Sequence, residues 1–150
     1  MARELENSMQ LRLESRSKNE SFARQTVAAF AAQLDPTMDE LGDIKTAVSE
    51  AVTNCIVHAY ADEMGYITIS AKIFSGGVLQ VVVRDRGCGI ADVEQAREPL
   101  FTTGNEERSG MGFTIMESFM DKLRVRSAPG RGTTVTMEKR ISPRPMRKHS

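Results

Sequence analysis

Glu50 and Asn54 stand four residues apart in Ser49-Glu50-Ala51-Val52-Thr53-Asn54, inside a stretch of helical periodicity. That spacing projects both from nearly the same face of one helix. A carboxylate and an amide oxygen held together can divide two tasks, one taking a proton and the other holding a metal ion. Alone, the pair fits a solvated helix face better. Three glycine-bearing segments follow it: Asp85-Arg86-Gly87-Cys88-Gly89, Ser109-Gly110-Met111-Gly112-Phe113 and Gly132-Thr133-Thr134. In the first, an aspartate leading into a turn can accept a hydrogen bond from an amino group such as the exocyclic amine of adenine, with glycines admitting close approach to the backbone. An ordinary Asp-Gly turn fits the same residues. The second segment opens a helix, where free backbone amides make an anion site, and a glycine hinge is the alternative. The third starts a strand and has no distinctive chemistry of its own.

The elements that position these residues are legible in outline. Met9 to Leu13 alternates weakly, as an edge strand does. Ser17 or Asn19 can cap a helix whose apolar positions are Phe22, Ala23, Val27, Phe30, Ala31 and Leu34, ended by Asp35-Pro36. Thr37 and Glu40 form a capping box that opens a second helix running to about Tyr60. Its apolar stripe is Leu41, Ile44, Val48, Ala51, Val52, Cys55 and Ala59, which leaves Glu50 and Asn54 off centre, lining a cleft or facing water. Ile67 to Ile73 and Val78 to Arg84 alternate as a hairpin around Ser75-Gly76-Gly77. Residues 91–109 are polar, with one helical turn near Asp92 to Arg97, and are long enough for a functional lid. Gly112 to Lys122 reads as a third helix, and Leu123 to Ser127 and Thr133 to Lys139 as two strands around Pro129-Gly130. The expected fold class is an α+β two-layer sandwich, a mixed and mainly antiparallel sheet with helices on one face.

The 150 residues fit one domain over 1–150, with a core at about 8–140 and a basic tail over 141–150. Twenty basic and twenty acidic residues cancel, so total charge argues for neither nucleic acid nor a membrane surface. No apolar run reaches the length of a membrane span, and the first residues are too charged for a secretory signal. Cys55 and Cys88 lack metal-ligand spacing and read as reduced thiols of a cytoplasmic protein.

Together and in this order, the four segments resemble the GHKL family of ATP-binding proteins (the Bergerat fold), which includes gyrase, Hsp90-type chaperones, histidine kinases and MutL-like repair proteins. Ser49 to Asn54 matches the N-box, Asp85 to Gly89 the first glycine box, Ser109 to Phe113 the second, and Gly132 to Thr134 the closing Gly-Thr element. The length leaves no room for a transducer domain, and neither His58 nor His149 stands on a phosphoacceptor helix pair. Ser21-Phe22-Ala23-Arg24, Leu34-Asp35-Pro36-Thr37, Phe101-Thr102-Thr103 and Glu107 to Glu117 resemble the anti-sigma-factor serine kinases over about residues 8–140. Their sporulation branch is the closer one, and the general-stress anti-sigma-B kinases are the nearest alternative.

The resemblance implies ATP or ADP bound with Mg²⁺. Asn54 would be the metal's protein ligand, and Asn54, Asp85, Gly87, Gly89, Ser109, Gly110, Met111, Gly112 and Thr133 would surround the nucleotide. Glu50 would be the general base on an attacking hydroxyl. Arg108 would neutralise the γ-phosphate, although a solvated lid arginine fits equally. Arg24 reads as a partner contact or as a solvated arginine. His58 continues the Glu50–Asn54 face as a helix-edge histidine. The implied partners are a sigma factor (sigma-F), an anti-anti-sigma antagonist phosphorylated on serine, and a second copy in a homodimer. Direct nucleic-acid and membrane contacts are not expected, and residues 91–109 are the candidate nucleotide-sensitive element. Two other readings remain: a histidine-kinase-type catalytic domain, and a nucleotide-gated binding module without phosphotransfer.

Overall fold

The computed structural model describes residues 3–60, 63–90, 93, 97 and 108–142, with residues 108–111 described by backbone alone. Five strands form one sheet: β1 (Leu5–Glu14), β2 (Tyr66–Phe74), β3 (Val78–Asp85), β4 (Lys122–Ala128) and β5 (Gly132–Arg140). Their order is β1-β2-β3-β5-β4, and every pairing is antiparallel. The helices are α1 (Lys18–Ala31), α2 (Met38–Asn54) and α3 (Arg108–Phe119). Alternation along the strands puts Ile67, Ile69, Ala71 and Ile73 of β2, Leu79, Val81 and Val83 of β3, and Val135 and Met137 of β5 into one buried layer. Val27 of α1, Ile44, Val48 and Val52 of α2 and Met116 of α3 close over it. Each such side chain contributes about 1.5–3 kcal/mol by leaving water.

The capping box that opens α2 forms as its sequence requires. The Glu40 amide donates to Thr37 Oγ1 at 3.0 Å, and the Thr37 amide donates to Glu40 Oε1 at 2.8 Å. Burial pushes the Glu40 carboxyl up, but hydrogen bonds from Thr37 and the Ser142 amide, with the charge of Lys139, outweigh it and hold the group below its ordinary value. Its stabilising effect is therefore present above the unfolded-state pKa of about 4.3 and is lost as pH falls through the lower folded value. Thr37→Ala removes the cap acceptor and is expected to cost about 0.5–2 kcal/mol. Urea denaturation at neutral pH measures this, and an unchanged midpoint would show the cap to be idle.

Several elements depart from expectation. Ser17 occupies the N-cap of α1 but makes no side-chain cap bond. Asn19 instead donates to the Glu14 carbonyl at 2.9 Å. Phe22 is 54% exposed, and Ala28 takes the buried place on α1. A 3₁₀ turn, Ala32–Leu34, extends α1 before Asp35 breaks the chain direction at φ 56°, a left-handed conformation that aspartate tolerates. The second helix does not run regularly to Tyr60: α-geometry ends at Asn54 and Cys55–Ala59 is a π-helical turn. The third helix begins at Arg108, four residues before the expected Gly112. Within residues 91–107, only Val93 and Arg97 are described. The Arg97 amide donates to the Val93 carbonyl at 3.1 Å, as a helical turn requires. The rest of the expected lid, including Phe101-Thr102-Thr103, and the tail from residue 143 lie outside the described residues.

Candidate functional site

Glu50 and Asn54 are half-buried at the end of α2, and α3 crosses them at Gly112. A Cβ at Gly112 would lie 3.3 Å from Asn54 Oδ1, Asn54 Nδ2 and Glu50 Oε1. A bare backbone is what lets α3 pack against this polar edge. Of the two expected placements, lining a cleft or facing water, the half-buried pair fits the first. Among the described residues, Asn54 Oδ1 is buried and has no hydrogen-bond partner. An acceptor left in that state costs about 1–3 kcal/mol, a cost a bound cation or donor removes. The described residues hold no group of three His, Cys, Asp or Glu side chains that could cage a metal. A single amide oxygen suits Mg²⁺, which keeps waters and phosphates in its shell.

The π turn that follows carries the site's second half. Its widened turn, a feature frequent at functional positions, offers carbonyls to the first glycine loop. The Cys88 amide donates to the Ala59 carbonyl at 3.2 Å, and the Cys88 thiol to the His58 carbonyl at 3.4 Å. Gly87 seats against Ala59, and Gly89, at φ 77°, against the Ala128 carbonyl. A side chain at either glycine would strike these neighbours, so both positions require glycine for the loop to take this path.

Asp85 ends β3 and is 6% exposed. Its Oδ1 accepts from the Gly87 amide at 2.9 Å and the Thr133 amide at 3.2 Å, and its Oδ2 accepts from the Cys55 thiol at 3.4 Å. A carboxylate has about four lone-pair positions, so one on Oδ2 remains for a ligand donor. Burial raises the Asp85 carboxyl above its ordinary value, and the three hydrogen bonds offset only part of that. Burial and then the Asp85 charge push the Cys55 thiol well up, which keeps it a donor. Both cysteines are free, as expected.

Two residues that sequence reasoning missed hold this loop in place. Tyr60 accepts from the Arg86 amide at 2.6 Å and donates to the Tyr66 carbonyl at 2.9 Å, tying the loop to β2. Ser127 accepts from the Ile90 amide at 2.7 Å, and its hydroxyl lies 2.8 Å from Thr133 Oγ1 and 2.9 Å from the Gly132 carbonyl. A tyrosine after a helix and a serine ending a strand carry no pattern that marks them; only the pairing of distant segments does.

The remaining expected residues divide as follows. Gly110 lies in the first turn of α3, among the amides a helix leaves free. Gly112 is the fifth residue of that helix and so lies beyond those amides, contrary to its expected role as an amide donor. The side chains of Arg108, Ser109 and Met111 lie outside the described residues. Arg24 is only half exposed and pairs with Glu20 at 2.9 Å, one turn away on α1.

A family model described as histidine kinase-like ATPase domain matches residues 13–139, and the chain belongs to that family. It is thereby a nucleotide-binding domain of the kinase-like ATPase type. Within the family, it is similar to proteins named anti-sigma F factor. It is 60% identical over 139 residues to that of Thermoanaerobacter sp. (strain X514), covering 92% of this chain and 96% of the relative. It is 58% identical over 139 residues to that of Geobacillus kaustophilus (strain HTA426), covering 92% and 95%. Among solved structures, its fold is similar to the RsbU and RsbW domains of Rv1364c from Mycobacterium tuberculosis. There the TM-score is 0.67 at 22% identity, over 91% of this chain and 32% of that one. No helix among the described residues is long and apolar enough to cross a membrane.

Proposed function

We propose that the chain is an anti-sigma factor for sigma-F that is also an ATP-dependent protein-serine kinase acting on an anti-anti-sigma antagonist. The name shared by relatives at 55–60% identity supports the sigma-factor partner. One observation carries the kinase reading: Asn54 Oδ1, buried and unpartnered among the described residues, and the Glu50 carboxylate meet at the same backbone position of α3. Bound ATP and Mg²⁺ supply the phosphoryl group and the charge that neutralises it. Asn54 Oδ1 holds the cation. Asp85 Oδ2 accepts from the adenine amine, with Gly87 and Gly89 shaping the loop beneath it and Thr133 fixing Oδ1. Ser109, Gly110 and Met111 offer the phosphates their backbone amides, and Gly112 leaves space between the helices. Glu50 takes the proton of the antagonist's serine hydroxyl. Arg108 balances negative charge on the transferring group. Arg24, held by Glu20, is a partner contact on α1. The protein works as a single domain, as a homodimer, in the cytoplasm.

Radiolabelled ATP mixed with the chain and a candidate antagonist tests this. Label on serine supports the proposal. Acid-labile label on histidine would make it a histidine-kinase-type domain, and retained sigma binding without label would make it a gated binding module. Asn54→Ala is expected to weaken Mg²⁺-dependent nucleotide binding by about tenfold or more, the loss of one ligand. Calorimetric titration with and without Mg²⁺ reads it, and equal affinities for parent and variant would remove Asn54 from the metal site.

A further inference from the structure

One register row on the outer face of the sheet reads Arg12, Thr68, Arg84, Thr134, Arg126, from β1 through β2, β3 and β5 to β4. The residues beside these arginines along each strand, such as Leu11, Val83 and Val125, belong to the core side, so the row faces away from the helices. All three arginines are exposed. Arg12 is held 4.0 Å over the Tyr66 ring. Among the described residues, Arg84 and Arg126 make no ion pair, nor does Arg124 one row away. Glu14 and Glu138, acidic residues of this face, are already engaged, Glu14 by Arg16 at 2.7 Å and Glu138 by Arg3 at 3.0 Å. A chain whose charges balance overall thus concentrates unspent positive charge on one flat, hydroxyl-bearing surface.

The spacing says what fits. Strands lie about 4.8 Å apart, so arginines on alternate strands repeat every ~9.6 Å. Residues seven apart on a helix repeat every ~10.5 Å, within reach of a flexible arginine. Phosphates of a duplex advance about 3.4 Å along the helix axis on each strand, about three for each arginine of the row. Both aromatic rings that β2 presents on this face already stack on an arginine, Tyr66 on Arg12 and Phe74 on Arg3. The chain's own basic tail, with Arg144, Arg147 and Lys148, has the wrong sign to cover the face. We infer that this face docks an acidic helix of another protein, its carboxylates a heptad apart over Arg12, Arg84 and Arg126. Guanidinium groups take carboxylates in paired hydrogen bonds, and the Thr68 and Thr134 hydroxyls between them accept or donate to the helix's polar side chains.

The test uses fluorescent helical peptides with three glutamates, either a heptad apart or adjacent, and a short DNA duplex, read by anisotropy at low salt. The heptad peptide is expected to bind at least about tenfold more tightly than either alternative, and to weaken as salt screens the charges. Arg84→Ser with Arg126→Ser should lose about tenfold or more of that affinity with an unchanged melting midpoint. Arg84→Glu with Arg126→Glu should instead bind a peptide carrying lysines at the same spacing. Equal binding of the two glutamate peptides, tighter binding of the duplex, or unaltered affinity in the serine variant each overturns the proposal.

Discussion

A Glu50→Gln variant binds ATP as tightly as the parent chain and transfers its phosphoryl group at least about 10²-fold more slowly, the range that separates an enzyme from its base-deleted form. The substitution keeps the side chain's volume and its approach to the α3 backbone at Gly112, so helix packing is preserved. What it removes is the ability to receive a proton. Asn54 Oδ1 and the Asp85 hydrogen bonds are untouched, so nucleotide affinity is retained. Single-turnover transfer to the antagonist, beside a nucleotide titration, separates the two effects. Transfer within threefold of the parent would strip Glu50 of its role and leave nucleotide gating as the chain's only use of ATP.

Asp85→Asn gives the opposite pairing, lost binding with retained or improved folding. Replacing the acceptor Oδ2 with an amide puts a donor against the adenine amine. Losing a hydrogen bond to a charged group costs about 1.5–3 kcal/mol, or about 10- to 150-fold in affinity. Stability moves the other way because burial has raised this carboxyl's folded pKa. Such a group favours the folded state below the unfolded pKa, about 3.9 for aspartate, and loses that contribution as pH rises through the folded value. At pH 7.5 the ionised carboxylate therefore weighs against the nucleotide-free fold. Asparagine removes that charge while its oxygen still accepts from the Gly87 and Thr133 amides. Urea midpoints without nucleotide should be equal or higher for the variant at pH 7.5, with the gain gone by pH 4. A clear drop at pH 7.5 would mean that the charge itself holds the loop.

The parts legible in sequence were those governed by local rules. Thr37 and Glu40 met as a capping box, and β2 and β3 met around Ser75-Gly76-Gly77, because cap and turn chemistry act over three or four residues. The order of the four polar segments likewise carried the family, which the match over residues 13–139 bears out. What stayed hidden depended on segments far apart in the chain. Nothing in Cys55-Ile56-Val57-His58-Ala59 distinguishes a π turn from another turn of α-helix; the glycine loop bonded to its carbonyls is 30 residues away. The start of α3 was read too late because glycine disfavours helix interiors. Here Gly112 is tolerated inside the helix because a larger residue would press on Asn54 and Glu50. The burial of Asn54 followed from the same crossing, which a helical wheel of α2 alone does not contain.

The pairing of Asp85 with Thr133 also has a consequence for when the protein becomes competent. The aspartate's hydrogen bond to the Thr133 amide spans 48 residues, and it is made by the last strand of the sheet. At about 5–20 residues per second, a ribosome adds those 48 residues in roughly 2–10 s. During that interval a growing chain already holds Glu50, Asn54 and Asp85 but lacks the strand that orients the aspartate. Until the segment that carries Thr133 has been made and paired, the aspartate lacks one of its three hydrogen-bond donors.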